Sequence, residues 1–203
     1  ETMSSTQLAG LTAGQMAALT AAQVAAIEVA DLDDLSTTQI RALGTDISAM
    51  TTDQIQALTT TQVASLSTQQ IVSLTTAQLA AMETADVAKL TTAQIVALTA
   101  GQIPAFSSDQ IAALTTTQTA QLSATQIAAL TSAQMPGLTT ASLALFDTTQ
   151  LQAIEDGDFA HLTPAQIAAL TTTQIPDLEQ GQIGAMTSDQ VAAIELGDLA
   201  EIT

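Results

Sequence analysis

The chain offers few side chains that could act as a nucleophile or as a general base. It contains one histidine, His161, and no cysteine, and its Ser and Thr residues recur at a fixed spacing along the sequence. Nucleophilic catalysis needs a base beside the nucleophile and a third group that orients the base. A lone histidine without such partners is better explained as an exposed residue. The sequence therefore predicts that the protein is not an enzyme.

Carboxylates are the other candidates for chemistry, and calcium is the ion that they would bind. The candidate ligands form two groups, Glu28, Asp31, Asp33 and Asp34 in the first and Glu155, Asp156 and Asp158 in the second. Ca²⁺ takes six to eight oxygen ligands, and neither group supplies that many or forms the Asp-x-Asp-x-Asp-Gly loop. In a first helical turn the same carboxylates would complement the helix dipole. We expect no cofactor and keep these residues as the calcium candidates.

The elements that must hold these residues are set by an eight-residue repeat, the octad. A large apolar residue, called the anchor or position 1, recurs every eight residues from Met3 to Leu43 and from Met50 to Ile202. The step from Leu43 to Met50 is seven residues, which marks a one-residue deletion within 44–47. Position 2 is Thr or Ser in 14 of the 19 regular octads, position 5 is Gln in 15, and position 6 is apolar with one exception.

One continuous helix cannot bury this pattern. An α-helix turns about 100° per residue, so eight residues rotate it by roughly 800° and an apolar stripe drifts by about 80° per octad. Such a stripe would wind around the helix and leave no face to pack. The helix must therefore break once in every octad.

The position of the break is marked by Thr at position 2 and Gln at position 5. This is the spacing of a capping box, in which each side chain binds the backbone N–H at the other residue. With position 2 as the N-cap, positions 1 and 6 form a hydrophobic staple. Pro164 then falls at the first helical position, where proline is favoured. Each octad is predicted to form a helix of about two turns.

Helices this short must stack, because about 12–15 residues are needed for a helix that is stable alone. We predict an all-α solenoid or superhelix of very short capped helices, one per octad. Pro104, Pro136 and Pro176 lie at position 7 and should shorten their helices to a single turn. The alternative is a β-solenoid with stacked Thr and Gln, which the high Ala and low Val content disfavours.

Composition limits both the core and the partners. Aromatic residues make up 1% of the chain and hydrophobic residues 47%, so Leu, Ile and Ala must fill a thin core of the kind that solenoids use. The net charge of -18 repels nucleic acid and anionic lipid. No apolar run approaches the length of about 18 residues that a membrane span requires. We expect no nucleic-acid partner and no membrane insertion.

We interpret residues 1–203 as a single continuous octad array without visible end caps. Solenoids normally need polar caps, because an open end exposes the apolar residues that interior repeats bury. We therefore expect the chain to bind itself, either by head-to-tail assembly or as part of a longer covalent array.

Two resemblances follow from these motifs. The stretch Leu162-Thr163-Pro164-Ala165-Gln166-Ile167 resembles the opening of TAL-effector repeats, which implies only that the motif begins a helix, since the base-reading loop of those repeats is missing. The tandem pattern Leu-Thr-x-x-Gln-Ile-x-Ala is similar to octapeptide repeat tracts of large secreted or surface-exposed bacterial proteins of the adhesin type. That resemblance covers the whole chain. It implies an extracellular or cell-surface location and a structural or adhesive role.

Two functions stay open at this point. The first is a structural segment of a bacterial surface or extracellular protein, acting as a stalk, an adhesin spacer or a filament-forming subunit. The alternative is a ligand-binding array for calcium, glycan or ice on the solenoid surface, with a cell-surface or glycan partner. A binding array should place the same exposed residues in register on one surface, whereas a scaffold need not.

Overall fold

The computed structural model describes residues 5–195 and residue 197, with only the backbone of Ser5. All regular structure in these residues is helical and none of it is β-strand. The prediction of an all-α repeat fold is confirmed and the β-solenoid alternative is wrong. The α-helices are α1 (Ser5–Ala9), α2 (Ala13–Met16), α3 (Ala21–Ala25), α4 (Thr37–Ala42), α5 (Thr52–Gln56), α6 (Thr60–Ser65), α7 (Thr68–Ser73), α8 (Thr76–Ala81), α9 (Thr84–Val87), α10 (Thr92–Ala97), α11 (Ser108–Ala113), α12 (Thr116–Thr119), α13 (Ala124–Ile127), α14 (Thr140–Leu143), α15 (Thr148–Gln152), α16 (Asp156–Phe159), α17 (Pro164–Ile167), α18 (Gln180–Ala185) and α19 (Ser188–Ala193).

Each helix begins where the octad pattern predicts. At Thr91 the backbone is extended (φ -71°, ψ 157°), and α10 starts at the next residue. The Thr91 hydroxyl accepts from the Gln94 N–H, and the Gln94 side chain accepts from the Thr91 N–H, so the capping box is complete. Pro164 occupies the start of α17, directly after its N-cap Thr163. These local signals decide where each helix begins.

The three prolines at position 7 shorten their helices, as expected. Their octads contain the 3-10 helices Ile103–Ala105, Met135–Gly137 and Ile175–Asp177 in place of an α-helix. Proline has no N–H to continue the i to i−4 pattern, so the chain closes one tighter turn and then extends to the next N-cap. The solenoid tolerates the shorter helix because each octad needs only one turn between its N-cap and the next anchor.

The chain folds into two compact units, Glu1–Ala105 and Phe106–Thr203. In the first unit α5 packs against α8 and α7 against α10; in the second, α16 packs against α18 and α17 against α19. In all four pairs the partners are three octads apart in the sequence. The interpretation of residues 1–203 as one continuous array stays a prediction. The anchors Met3 and Ile202 lie outside the described residues.

Positions 1 and 6 form the core of each unit. In the first unit Val63 is 1% exposed and Leu66 is 5% exposed, and the equivalent residues of the neighbouring octads are also buried. Position 7 faces solvent, where Val72 and Val96 are exposed. The staple at positions 1 and 6 thus joins neighbouring octads and faces the interior. No helix in the described part of the chain has the length and hydropathy needed to cross a bilayer.

The one-residue deletion changes one octad locally. This octad forms no α-helix, and Gly44–Ala49, which follows the anchor Leu43, is a 3-10 helix instead. Gly44 has a φ of 53°, a left-handed conformation that glycine adopts without steric cost. It lies directly after Leu43, at the end of α4, where a left-handed residue commonly terminates a helix. The deletion is therefore absorbed by a tighter turn next to a glycine.

Candidate functional site

The Gln at position 5 uses both ends of its amide. In α10 the Oε1 atom of Gln94 accepts from the Thr91 N–H at 2.6 Å. Its Nε2 atom donates to the carbonyl oxygens of Val63 at 2.9 Å and Leu66 at 2.8 Å, in the preceding coil. The side chain is 1% exposed. One buried amide therefore caps its own helix and binds the end of an earlier one.

The carbonyls that receive this bond lie at the C-terminal end of a short helix. The Val63 carbonyl also accepts from the Leu66 N–H at 3.1 Å, and Leu66 is the C-cap of α6. Each helix leaves four N–H groups at its start and four C=O groups at its end without a partner inside the helix. In helices of four to six residues these groups are most of the backbone. A buried polar group without a hydrogen bond costs about 1–3 kcal/mol. The position-5 Gln removes part of this cost at two helices at once.

The same bond recurs along both units, and we call the set the glutamine ladder. Its members bind carbonyl oxygens 27 to 31 residues earlier, and those described are Gln39, Gln54, Gln62, Gln70, Gln78, Gln94 and Gln102 in the first unit and Gln134, Gln150, Gln166, Gln174, Gln182 and Gln190 in the second. All of these side chains are buried. The ladder is the repeated polar interaction that holds successive coils together.

The residue spacing of the ladder bonds changes at the one-residue deletion. Gln94 and Gln78 bind carbonyls 28 and 31 residues earlier, at position 1 and position 6. Gln54 and Gln62, whose spans cross residues 44–47, bind the same positions 27 and 30 residues earlier. Each Gln therefore binds carbonyls at the same two octad positions, although the number of residues between donor and acceptor is smaller by one across the deletion.

The ladder also indicates how many octads make one coil. The Gln94 amide binds Thr91, which follows the anchor Leu90, and Leu66, which is the anchor three octads earlier. The helices that pack against each other are three octads apart as well. The junction between two octads in one coil therefore lies over the junction three octads earlier.

Two exceptions to the octad pattern contact each other. Thr119 is the polar residue at position 6, and Ser142 replaces Gln at position 5. The Thr119 hydroxyl donates to Ser142 Oγ at 2.8 Å, and both side chains are buried. Ser142 also receives the Thr139 hydroxyl at 2.8 Å. Where the amide is missing, a pair of hydroxyl groups supplies the buried polar contact.

These features agree with the comparison with known families. The ALTTAQ repeat matches residues 24–60, 47–82, 79–116 and 151–195, which together are more than half of the chain. The chain belongs to the ALTTAQ repeat family. No curated protein matches it. The matched segments are longer than one octad, so the family unit comprises several of the octads described above.

Four octads of the ALTTAQ array replace Thr and Gln together by Glu and Asp. The Glu side chains at the N-caps Glu28, Glu83 and Glu155 make no cap hydrogen bond. Their position-5 partners include Asp86, which is buried, and an ionised carboxylate has no hydrogen to donate to a carbonyl. Burial, with a smaller contribution from the Glu83 charge, raises the pKa of Asp86 to about 6. In the fourth such octad, Glu195 is described and Asp198 lies outside the described residues.

The first group of calcium candidates lies on the surface of the first unit. Glu28, Asp33 and Asp34 are exposed and Asp31 is half-buried. Glu28 is the N-cap of the 3-10 helix Val29–Asp31, Asp31 is its last residue, and Asp33 and Asp34 follow it. Over the residues that the structure describes, no three acidic or histidine side chains converge where they could hold a metal ion.

The second group belongs to α16, and one of its members takes part in packing. Glu155 and Asp156 are exposed and Asp158 is half-buried. The Asp156 carboxylate lies against Gly181 of α18, so closely that a Cβ atom at Gly181 would collide with it. Asp156 and Asp158 also lie in the first turn of α16, where carboxylates complement the helix dipole. These contacts give the acidic residues structural roles.

The remaining candidates for chemistry are isolated. His161 is exposed, and its Nδ1 atom lies 3.0 Å from the carbonyl oxygen of Gly157, four residues earlier in the chain. A recess of about 280 Å³ in the second unit is lined by Ile167, Leu170, Thr171, Ile175 and Glu195, among other residues. Its described lining contains one titratable residue and no histidine. Neither feature combines a nucleophile with a base.

The ladder is the functional feature that the sequence interpretation missed. The capping-box pattern predicts the use of the Oε1 atom and says nothing of the Nε2 atom. A signal was present, because Glu serves a capping box as well as Gln does, yet no octad has Glu at position 5. In a chain with 20 acidic residues this choice indicates that the amide hydrogens are needed.

Proposed function

We propose that this ALTTAQ array is a non-enzymatic structural segment of a bacterial extracellular or cell-surface protein. In that role it acts as a stalk, an adhesin spacer or a filament-forming subunit. The observation that carries the proposal is the glutamine ladder. In the ladder, Gln, the most frequent residue at position 5, binds one coil to the preceding one. The polar side chain that recurs in the octads therefore serves packing between coils.

A spacer must hold its ends apart and must lengthen by adding units. An octad array meets both needs, because each octad is capped by its own residues and bound to the preceding coil by one buried amide, as Gln102 is bound to Ile71 and Leu74. Stability in such arrays rises approximately as a sum over units and their interfaces. The net charge of -18 supports a role in which the surface stays solvated and resists lateral aggregation.

The ligand-binding alternative has less support. A repetitive ligand such as ice or a linear glycan would require the same residue types at equivalent exposed positions. The exposed position-7 residues vary in type, with Val72, Val96 and Pro104 among them. The proposal therefore assigns no catalytic or ligand-binding residue, and it assigns no cofactor.

Location is tested with antibodies raised against this chain. Intact cells of the source organism should bind the antibodies, and mild protease treatment of intact cells should remove the signal. A cytoplasmic protein probed in parallel should respond only after lysis. If the ALTTAQ protein also responds only after lysis, the surface and extracellular roles are wrong.

A further inference from the structure

One position of the glutamine ladder in the first unit is occupied by a buried carboxylate. Asp86 lies at position 5 of its octad, where Gln94 and the other ladder residues donate to carbonyls 28 and 31 residues earlier. An ionised carboxylate has no hydrogen to donate, so it cannot make these bonds. Asp86 is 2% exposed, and among the described residues none forms a hydrogen bond to its carboxylate. It is a buried charged side chain that its own neighbours do not neutralise.

The carbonyl oxygens at the matching ladder positions also receive no side-chain donor. The residues 31 and 28 positions before Asp86 are Ile55 and Leu58, at the C-terminal end of α5. The Ile55 carbonyl accepts from the Leu58 N–H at 3.3 Å, and no described side chain donates to either carbonyl. The last carbonyls of a helix carry the negative end of its dipole, which favours a positive charge beside them.

A second carboxylate accompanies the first. Glu83 is the N-cap of α9, and its side chain makes no cap hydrogen bond. Every regular octad with Asp at position 5 also has Glu at position 2, a pairing that places two like charges three residues apart. Capping does not explain this pairing, whereas a cation shared by the two carboxylates does. We call Asp86, Glu83 and the carbonyls of Ile55 and Leu58 the Asp86 site.

The described residues around the Asp86 site do not supply the positive charge. Lys89, the basic residue of the same octad, is exposed and forms no ion pair with Asp86. The helix α6 packs against α9 and contains no titratable residue. Buried charges in proteins are paired or coordinate metal ions, because an isolated charge loses the stabilisation that water gives it. A cation from solution is therefore the partner that the oxygen atoms of this site favour.

We infer that the Asp86 site binds a monovalent alkali-metal cation, Na⁺ or K⁺, where the amide hydrogens of Gln lie in other octads. The site offers two carbonyls and two carboxylates, one of them exposed. Ca²⁺ takes six to eight oxygen ligands, and the cost of removing water from an ion rises with the square of its charge. This small set of ligands therefore suits an ion of single charge. The bound cation joins α9 to the end of α5.

The second unit repeats the arrangement. Asp158 is half-buried at position 5 of its octad, and Glu155 is the N-cap of α16 without a cap hydrogen bond. The carbonyls 31 and 28 residues earlier are those of Ile127 and Leu130, and no described side chain donates to them. The same cation fits this set. The inference goes beyond the proposed function and does not depend on it.

The test measures the melting temperature of the 203-residue chain in chloride salts of Na⁺, K⁺ and choline at equal ionic strength. Choline has no bare charge that carbonyl oxygens can coordinate. At pH 8 the melting temperature should be higher in Na⁺ or K⁺ than in choline by roughly 2–4 degrees, and the larger increase identifies the preferred ion. At pH 4 the difference should be mostly lost, because burial raises the pKa of Asp86 to about 6 and a proton then neutralises it.

Matched variants separate this site from a general effect of salt. Asp86→Gln with Asp158→Gln introduces the common ladder residue at both positions, so the fold is kept and the melting temperature should be equal in the three salts. Asp53→Asn with Asp109→Asn removes the same charge from exposed residues and should keep the full difference. Far-UV circular dichroism confirms that all variants keep their helices.

Two results would overturn the inference. The first is an equal melting temperature of the unmodified chain in all three salts at pH 8. The second is an equal response of the Gln variant and the control variant to the choice of salt. Neither result bears on the cell-surface proposal, which antibody labelling tests separately.

Discussion

The Nε2 atom of Gln94 lies 2.8 Å from the carbonyl oxygen of Leu66, and this bond joins residues 28 positions apart. The Oε1 atom of the same side chain accepts from the Thr91 N–H and caps α10, and the acceptor Leu66 is the C-cap of α6. A single side chain therefore connects local helix formation to the packing of successive coils. The stability of the array should depend on this amide more than on any exposed residue.

Gln94→Glu tests the amide directly. The substitution keeps the length of the side chain and its capping oxygen, and it removes the two donors that serve Val63 and Leu66. A buried charge facing carbonyl oxygens should cost roughly 3 kcal/mol or more. Urea denaturation followed by circular dichroism measures the loss. Gln15→Glu is the control, because exposed Gln15 makes the same cap without the second bond, and its change should stay within about 0.5 kcal/mol.

The variants Thr115→Ala and Ile111→Ala compare the contribution of a helix cap to stability with that of a core side chain. Thr115 is exposed, and its hydroxyl accepts the Gln118 N–H at 3.2 Å, so its loss should cost about 1 kcal/mol. Ile111 is buried in the thin core, and its truncation should cost about 2–5 kcal/mol. Thermal and urea denaturation of both variants give the comparison. A Thr115 variant that is much less stable than the Ile111 variant would contradict the assignment of faces.

Asp86 should make stability depend on pH between about 4 and 6. Burial raises the pKa of Asp86 in the folded chain to about 6 from an ordinary value of 3.8, so the folded state binds the proton more tightly than the unfolded state does. The contribution of Asp86 to the free energy of unfolding is then highest below pH 4, falls as the pH rises towards 6, and is constant above that. The loss should be on the order of 1–3 kcal/mol at neutral pH.

Asp86→Gln isolates this effect. The variant restores the common position-5 residue, so it should be more stable than the unmodified chain at pH 8, and the advantage should shrink at pH 4. Asp53→Asn, at an exposed carboxylate, is the control and should leave the pH profile nearly unchanged. An equal gain at both pH values would mean that the Asp86 carboxyl does not titrate in this range.

Calcium should not stabilise the fold. Glu28, Asp33 and Asp34 are exposed and gather no further ligands among the described residues, and Asp156 packs against Gly181. Melting temperatures in chelator and in millimolar calcium should agree, as should those of Asp33→Asn with Asp34→Asn. A calcium-dependent increase of about ten degrees or more, lost in that double variant, would establish a site at the first acidic group.

The sequence by itself determined the short-range structure. The distance from Thr91 to Gln94 is three residues, so the capping box forms within one turn and can be read directly from the spacing of residue types. The same holds for the shortening at Pro104, for the helix start at Pro164 and for the apolar faces at positions 1 and 6. Each of these depends on backbone geometry over fewer than eight residues, which is independent of how coils meet.

Only the tertiary structure decided which octads meet. The sequence is nearly identical at spacings of 24 and 32 residues, so no pattern of residue types distinguishes three octads per coil from four. Packing of Val63, Leu66 and their equivalents brings together octads that are three apart, and this places the Gln94 amide against the Leu66 carbonyl. The second hydrogen bond of the Gln amide and the pairing of Thr119 with Ser142 both follow from that packing, because each depends on side chains brought together across coils.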